Sequence, residues 1–240
     1  MAGNRRRSIF TSRLVNSATD GKQPRVTEDL RHAILSGDEP PGTPIPIDAV
    51  AGFFGVSQIP VREALKVLLG EGLVEHVPRI GYSVAKLGFA EFRELYDVRA
   101  ALEVSVLRQA VLRATAEDDG EVRRTHAAMR LAMDADDERG YHAESRRFHM
   151  ALIAPARMQR LTHMYEAAWN MTEPARPMSR VDHSGRRLFY DDHDRMLAAF
   201  VARDADELVR ESQQHYDHLK TAISDFRDDP EVFRSPISLP

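Results

Sequence analysis

The chain has 240 residues, 42% of them apolar and 29% charged, with no cysteine and a formal net charge of −4. Such a composition is globular rather than disordered, and the missing cysteines exclude disulfides, thiolate metal sites and cysteine nucleophiles, leaving His, Asp and Glu to hold any metal. No apolar run approaches the roughly 18 residues of a membrane span, and no hydrophobic segment follows the basic N-terminus, so a soluble, cytoplasmic protein is expected.

Residues 1–22 are polar, contain Arg5, Arg6, Arg7 and Arg13, and lack apolar periodicity, which predicts a flexible basic tail. Residues 1–87 together hold 11 Lys and Arg against 9 Asp and Glu, and the remaining 153 hold 22 against 28. This mild asymmetry permits a basic face early in the chain without requiring one. From Val26 the pattern is helical, with Leu30, Ile34 and Leu35 on one face; "SGDEPPGTPIP" (36–46) then forces an irregular connection. Asp48 reads as the cap of a short helix that Gly55 stops, and Ser57 as the cap of a helix from Gln58 to about Leu69, with Pro60 in its first turn. Two alternating stretches around "PRIG" read as a hairpin. Three helices and a hairpin in this order, over residues 23–87, predict a winged helix-turn-helix.

In such a fold the second helix of the motif enters the major groove by its N-terminal end. "SQIPVREALKVL" is built for that: Val61, Ala64, Leu65 and Leu68 share an inner face, while Ser57, Gln58 and Ile59 form a leading edge. Arg62, one turn on, has the fork that fits a guanine edge or a phosphate. In the hairpin, His76, Arg79 and Gly81 are placed to lie along the adjacent backbone or minor groove. The partner implied is a double-stranded DNA operator.

Beyond Lys86, segments at about 89–114, 118–134, 138–153, 157–171, 187–202 and 204–226 carry apolar residues at three- and four-residue spacing. They predict an antiparallel all-α bundle over residues 88–227, with 172–185 its longest non-helical piece and 228–240 a C-terminal tail. The fold class expected is therefore mainly α. His149, His193 and His215 each fall on the inward stripe of a different helix; three converging imidazoles would make a divalent metal site, although each alone also fits a hydrogen-bonded core histidine. Trp169, Tyr165 and Met171 are pocket-lining or plain core residues.

"LRHAILSGDEPPGTPI", "GVSQIPVREAL", "LLGEGLV" and "RIGYSV" resemble, in register across residues 23–87, the DNA-binding domain of the GntR family of bacterial regulators. The resemblance implies contacts near Asp48, and implies an arginine where this chain has Gln58, so that the operator sequence should differ. Residues 89–226 look like the FCD ligand-binding domain of the FadR subfamily. That likeness implies a metal (zinc, nickel or manganese) on His149, His193 and His215, with an acidic first ligand where this chain has Ser145. The metal should then be held more weakly, or its shell completed by water or an effector. Glu144, one residue away, faces about 100° round the helix and is a poor substitute. Arg99, in "YDVRAALE", matches the arginine that clamps a carboxylate in the same cavity, or forms an ion pair with Glu103. The function implied is a ligand-responsive repressor, binding a pseudo-palindromic operator as a homodimer and released by a small organic acid held near Arg99, Ser145 and Trp169. Two alternatives stand: a metal-dependent hydrolase or lyase on the three histidines, for which Glu144 is the only nearby base, and an effector-free DNA-binding dimer.

Overall fold

A computed structural model describes residues 9–12, 14–15, 25–37, 39–176 and 180–235. It divides into two compact units, the first made of residues 1–89, 170–176 and 229–240, the second of 90–169 and 177–228.

The first unit contains α1 (Ile9–Ser12), α2 (Val26–Leu35), β1 (Pro44–Ile45), α3 (Ile47–Phe54), α4 (Gln58–Gly70), β2 (Val74–Val77) and β3 (Gly81–Val84). Leu30, Ile34, Val50, Phe54, Val61, Leu65 and Leu68 bury the facing stripes of α2, α3 and α4 in one core, so helical spacing gave the inner faces as expected. The turn between α3 and α4 works because Gly55 takes φ +66°, a left-handed conformation that glycine adopts without steric cost. β2 and β3 pair antiparallel from Val74↔Val84 to Val77↔Gly81, and β1 adds a third strand on the other side of β3. That strand lies inside the stretch expected to be irregular: with two residues, the first of them a proline, it offers no alternation to read.

Both chain ends depart from the expectation of loose tails. Arg5, Arg6, Arg7 and Arg13 lie outside the described residues, but Phe10 and Leu14 are buried in the first unit's core. At the other end Val232 and Phe233 are buried, Phe233 edge-on to Phe89 at 5.5 Å, and Arg234 N–H donates to the Leu87 carbonyl at 2.8 Å. Residues 170–176 join the same unit, with Met171 beside Gly72 and Arg176 Nη2 donating to the Leu35 carbonyl at 2.6 Å.

The helices α5 (Phe89–Arg113), α6 (Ala116–Asp134), α7 (Glu138–Ile153), α8 (Gln159–Thr172), α9 (His183–Ala202) and α10 (Ala205–Ser224) supply the second unit. Short turns fold α6 onto α7 and α9 onto α10, and α6 also packs on α9. Their inward stripes meet in one core around Leu107, Met129, Phe148, Leu152, Tyr165, Met196 and Phe200. α9 begins four residues before its expected start because Asp182 caps it, accepting from Gly185 N–H at 2.9 Å.

Candidate DNA-reading surface and metal-ligand cavity

Ser57, Gln58, Ile59 and Arg62 are all exposed at the start of α4, while Val61, Ala64 and Leu65 are buried behind them. Ser57 occupies the N-cap position without a side-chain cap bond. Asp48 is not the cap of α3: Pro46 holds that position and Asp48 stands in the first turn, where its carboxylate accepts from Gln58 Nε2. Pro46 fixes the extended entry by its ring, with no side-chain cap bond. Arg62 Nη2 in turn donates to Gln58 Oε1 at 3.2 Å. At the hairpin tip Arg79 is exposed with φ +69°, and Gly81 has φ +113° with open space where a side chain would begin. Ile80, between them, is 82% exposed. It was not singled out from sequence, because exposure cannot be read from a three-residue turn.

In the second unit a small cavity of about 30 Å³ is lined by residues including Arg99, Ser145, His149, Trp169, His193 and His215. The three histidines sit on α7, α9 and α10, each at most 1% exposed. One ligand atom from each lies within 4.8 Å of the other two, and His149 Nε2 is 3.2 Å from His193 Nε2. Such spacing suits nitrogen donors sharing one ion at about 2.0–2.1 Å each.

Two buried carboxylates set which nitrogens point inward. Glu103 Oε2 is 2.7 Å from His149 Nδ1, and Asp192 Oδ2 is 3.1 Å from His215 Nδ1. A carboxylate accepts only, so each Nδ1 carries the proton and each Nε2 keeps its lone pair. His215 Nε2 then has no hydrogen-bond partner, and neither has His193 Nδ1. A buried lone pair facing no donor is costly unless a cation takes it. Burial, reinforced by the neighbouring imidazoles His215 and His149, holds His193 well below its ordinary pKa; His215 is lowered by burial as well, against the pull of Asp192. Neutral imidazoles are the form that binds metal. The donor set therefore fits a divalent cation.

Glu103 accepts from Tyr165 Oη at 2.5 Å, Ser212 Oγ at 2.8 Å and Tyr216 Oη at 3.2 Å as well as facing His149. Burial alone would raise its pKa, but His149 and these hydroxyls outweigh that and bring it down to about 2. Arg99, 2% exposed, lies with its guanidinium carbon 3.5 Å from the Trp169 ring centroid, and its Nε has no hydrogen-bond partner. The expected acid is absent as the sequence implied: Ser145 lines the cavity, and Glu144 pairs instead with Arg147. Tyr165 serves the Glu103 network, whereas Met171 belongs to the first unit and does not line this cavity. From sequence Glu103 was named only as the alternative ion-pair partner of Arg99, and Asp192 not at all, although Asp192 stands three residues after Phe189 and four before Met196, the spacing of an inward-facing position.

A winged helix-turn-helix followed by an all-α bundle, whose cavity holds three imidazoles and a guanidinium, defines a DNA-binding transcriptional regulator. Residues 22–84 match the model for bacterial regulatory proteins of the gntR family, and residues 94–218 match the FCD domain. The chain belongs to the GntR family and carries an FCD domain. It is 24% identical over 227 residues, 90% of each chain, to the gluconate operon transcriptional repressor of Bacillus subtilis, and 28% identical over 205 residues to the repressor GlaR of Escherichia coli, covering 81% of this chain and 90% of that one. Among solved structures, E. coli McbR/YncC has the same fold, with a TM-score of 0.74 at 23% identity over 84% of this chain and 96% of that one. The two sequence relatives are named as transcriptional repressors, and with the family membership they set aside the hydrolase alternative. Among the described residues, no helix is long and apolar enough to cross a membrane.

Proposed function

We propose that the chain represses transcription by binding a pseudo-palindromic operator as a homodimer, and that a small carboxylate effector controls that binding. Ser57, Gln58, Ile59 and Arg62 read the major groove, Asp48 stands beside them, and Arg79 and Gly81 carry the wing along the neighbouring backbone. The repressor names of several relatives support the sign of regulation.

The observation that carries the effector reading is Arg99: a buried guanidinium with an unpartnered Nε in the same cavity as three buried imidazoles. A buried cation without its hydrogen bonds is a standing cost that an incoming carboxylate relieves. His149, His193 and His215 would hold the cation, which supplies further positive charge beside Arg99, and Trp169 packs on the guanidinium face. The small cavity favours an acid of few heavy atoms, and Ser145 leaves space and a hydroxyl where an acidic ligand would crowd it. The two units are coupled if the effector binds one arrangement of the dimer better than another.

Protein purified without chelator is expected to carry about one equivalent of zinc, nickel or manganese by elemental analysis, and to shift DNA from its own upstream region in a gel. Small organic acids that raise its melting temperature should also release that DNA. If elemental analysis finds no metal and no acid shifts the melting temperature while DNA is still retarded, the effector-free dimer is the correct reading.

A further inference from the structure

The polar chain at the start of α4 holds the exposed Gln58 side chain between two charged partners. Gln58 Nε2 donates to Asp48, and Gln58 Oε1 accepts from Arg62 Nη2 at 3.2 Å. A carboxylate can only accept and a guanidinium can only donate, so the amide between them has one possible orientation. What remains free on Gln58 is one N–H on the nitrogen and one lone pair on the oxygen. A donor and an acceptor side by side complement adenine, which shows an N7 acceptor beside an N6 donor in the major groove. Guanine shows two acceptors, N7 and O6, and needs two donors. Arg62 gives one N–H to Gln58 and keeps the rest of its donors for a guanine or a phosphate.

We propose that Asp48 is a positioning residue that locks the Gln58 amide, so that each operator half-site carries adenine at the base facing Gln58, with any guanine read by Arg62. Residues four apart on a helix are separated by about 6 Å along its axis, which spans about two base steps of 3.4 Å. The two columns therefore lie close together in the half-site. Asp48 also brings a negative charge to a surface that meets phosphates, so it trades affinity for selectivity. This inference rests on α4 being the DNA-reading helix.

The test is selection from randomised duplexes by the full-length chain, with Asp48→Asn, Gln58→Arg and Arg62→Ala selected in parallel and each variant's melting temperature recorded. The wild-type chain should enrich a half-site with an adenine column preferred over guanine by about tenfold or more, the scale of one good bidentate contact. Asp48→Asn, which can either donate or accept, should flatten that column alone while tightening binding to unrelated DNA. Gln58→Arg should turn the same column to guanine. A wild-type guanine at the column that Gln58→Arg alters, or an Asp48→Asn profile identical to wild type, would overturn the lock. If wild type, Gln58→Arg and Arg62→Ala all enrich the same half-site to the same degree, α4 does not read DNA, and the underlying reading falls with it.

Discussion

Two of the three buried imidazoles are backed by a carboxylate, Glu103 for His149 and Asp192 for His215, whereas His193 Nδ1 has no hydrogen-bond partner. Carboxylates behind metal-binding histidines fix the ring and raise its basicity, and removing one typically weakens binding by about 10–100-fold. Glu103→Gln keeps the shape and the hydroxyl contacts but loses the charge. It is expected to lower metal affinity within that range in competition with a chromophoric chelator, whereas Glu144→Gln, outside the cavity, should leave affinity where it was. At this scale the inward histidines were legible because helical spacing places them with Leu152, Met196 and Leu219. Their supporting acids were not, because Asp and Glu are so often solvent-facing that spacing alone does not separate the exceptions.

Helices begin and end here through local chemistry that the sequence states more or less openly. Thr115 and Asp118 form a reciprocal capping box at the start of α6: Asp118 N–H donates to Thr115 Oγ1 at 3.3 Å, and Thr115 N–H donates to Asp118 Oδ2 at 2.8 Å. Thr115→Ala should cost about 1 kcal/mol, measured by urea unfolding. The bonds from the Thr115 backbone and hydroxyl hold the Asp118 carboxyl below its ordinary pKa. A depressed acid stabilises the fold above its unfolded pKa and loses that contribution as pH falls through the folded value. Removing the cap with Asp118→Asn should therefore reduce stability at neutral pH and shrink the difference from wild type in strong acid. Arg31 makes a two-pronged bond to Glu71 at 2.6 and 2.8 Å, tying α2 to the end of α4. Both partners are about one-third exposed, so Arg31→Ala is expected to cost no more than about 1 kcal/mol in the same assay. The amphipathic helices were readable from their period; β1 was not, since a two-residue strand that begins with proline carries no period at all.

Across the whole molecule the formal charge is negative, so binding to DNA has to come from local placement of arginines rather than from net charge. The measurable consequence is a linear fall of log affinity with log salt, whose slope counts phosphate contacts. Arg79→Ala, at the wing, should weaken binding to all sequences alike and reduce that slope by about one, whereas an uncharged replacement such as Gln58→Ala should change sequence preference and leave the slope unaltered. Metal should also stabilise the folded chain by mass action, by about 2.7 kcal/mol at a hundredfold excess over its dissociation constant, and chelator should reverse the gain in a thermal melt. The two-part organisation was legible from the change in pattern near Lys86. The membership of the first unit was not, because nothing local in "DDPEVFRSP" announces that its Val and Phe are destined for burial far back along the chain.

That membership has a practical consequence for anyone cutting the protein apart. Phe10, Leu14, Phe89 and Phe233 reach the first unit from both flanks of the obvious reader, with residues 170–176 brought in as well. A fragment spanning only 25–87 would lose Phe10 and Leu14 and be left with bare apolar surface where they had rested. It should clump when expressed alone, and a recombinant design that carries residues 9–15 and a tethered copy of 229–235 should stay dispersed.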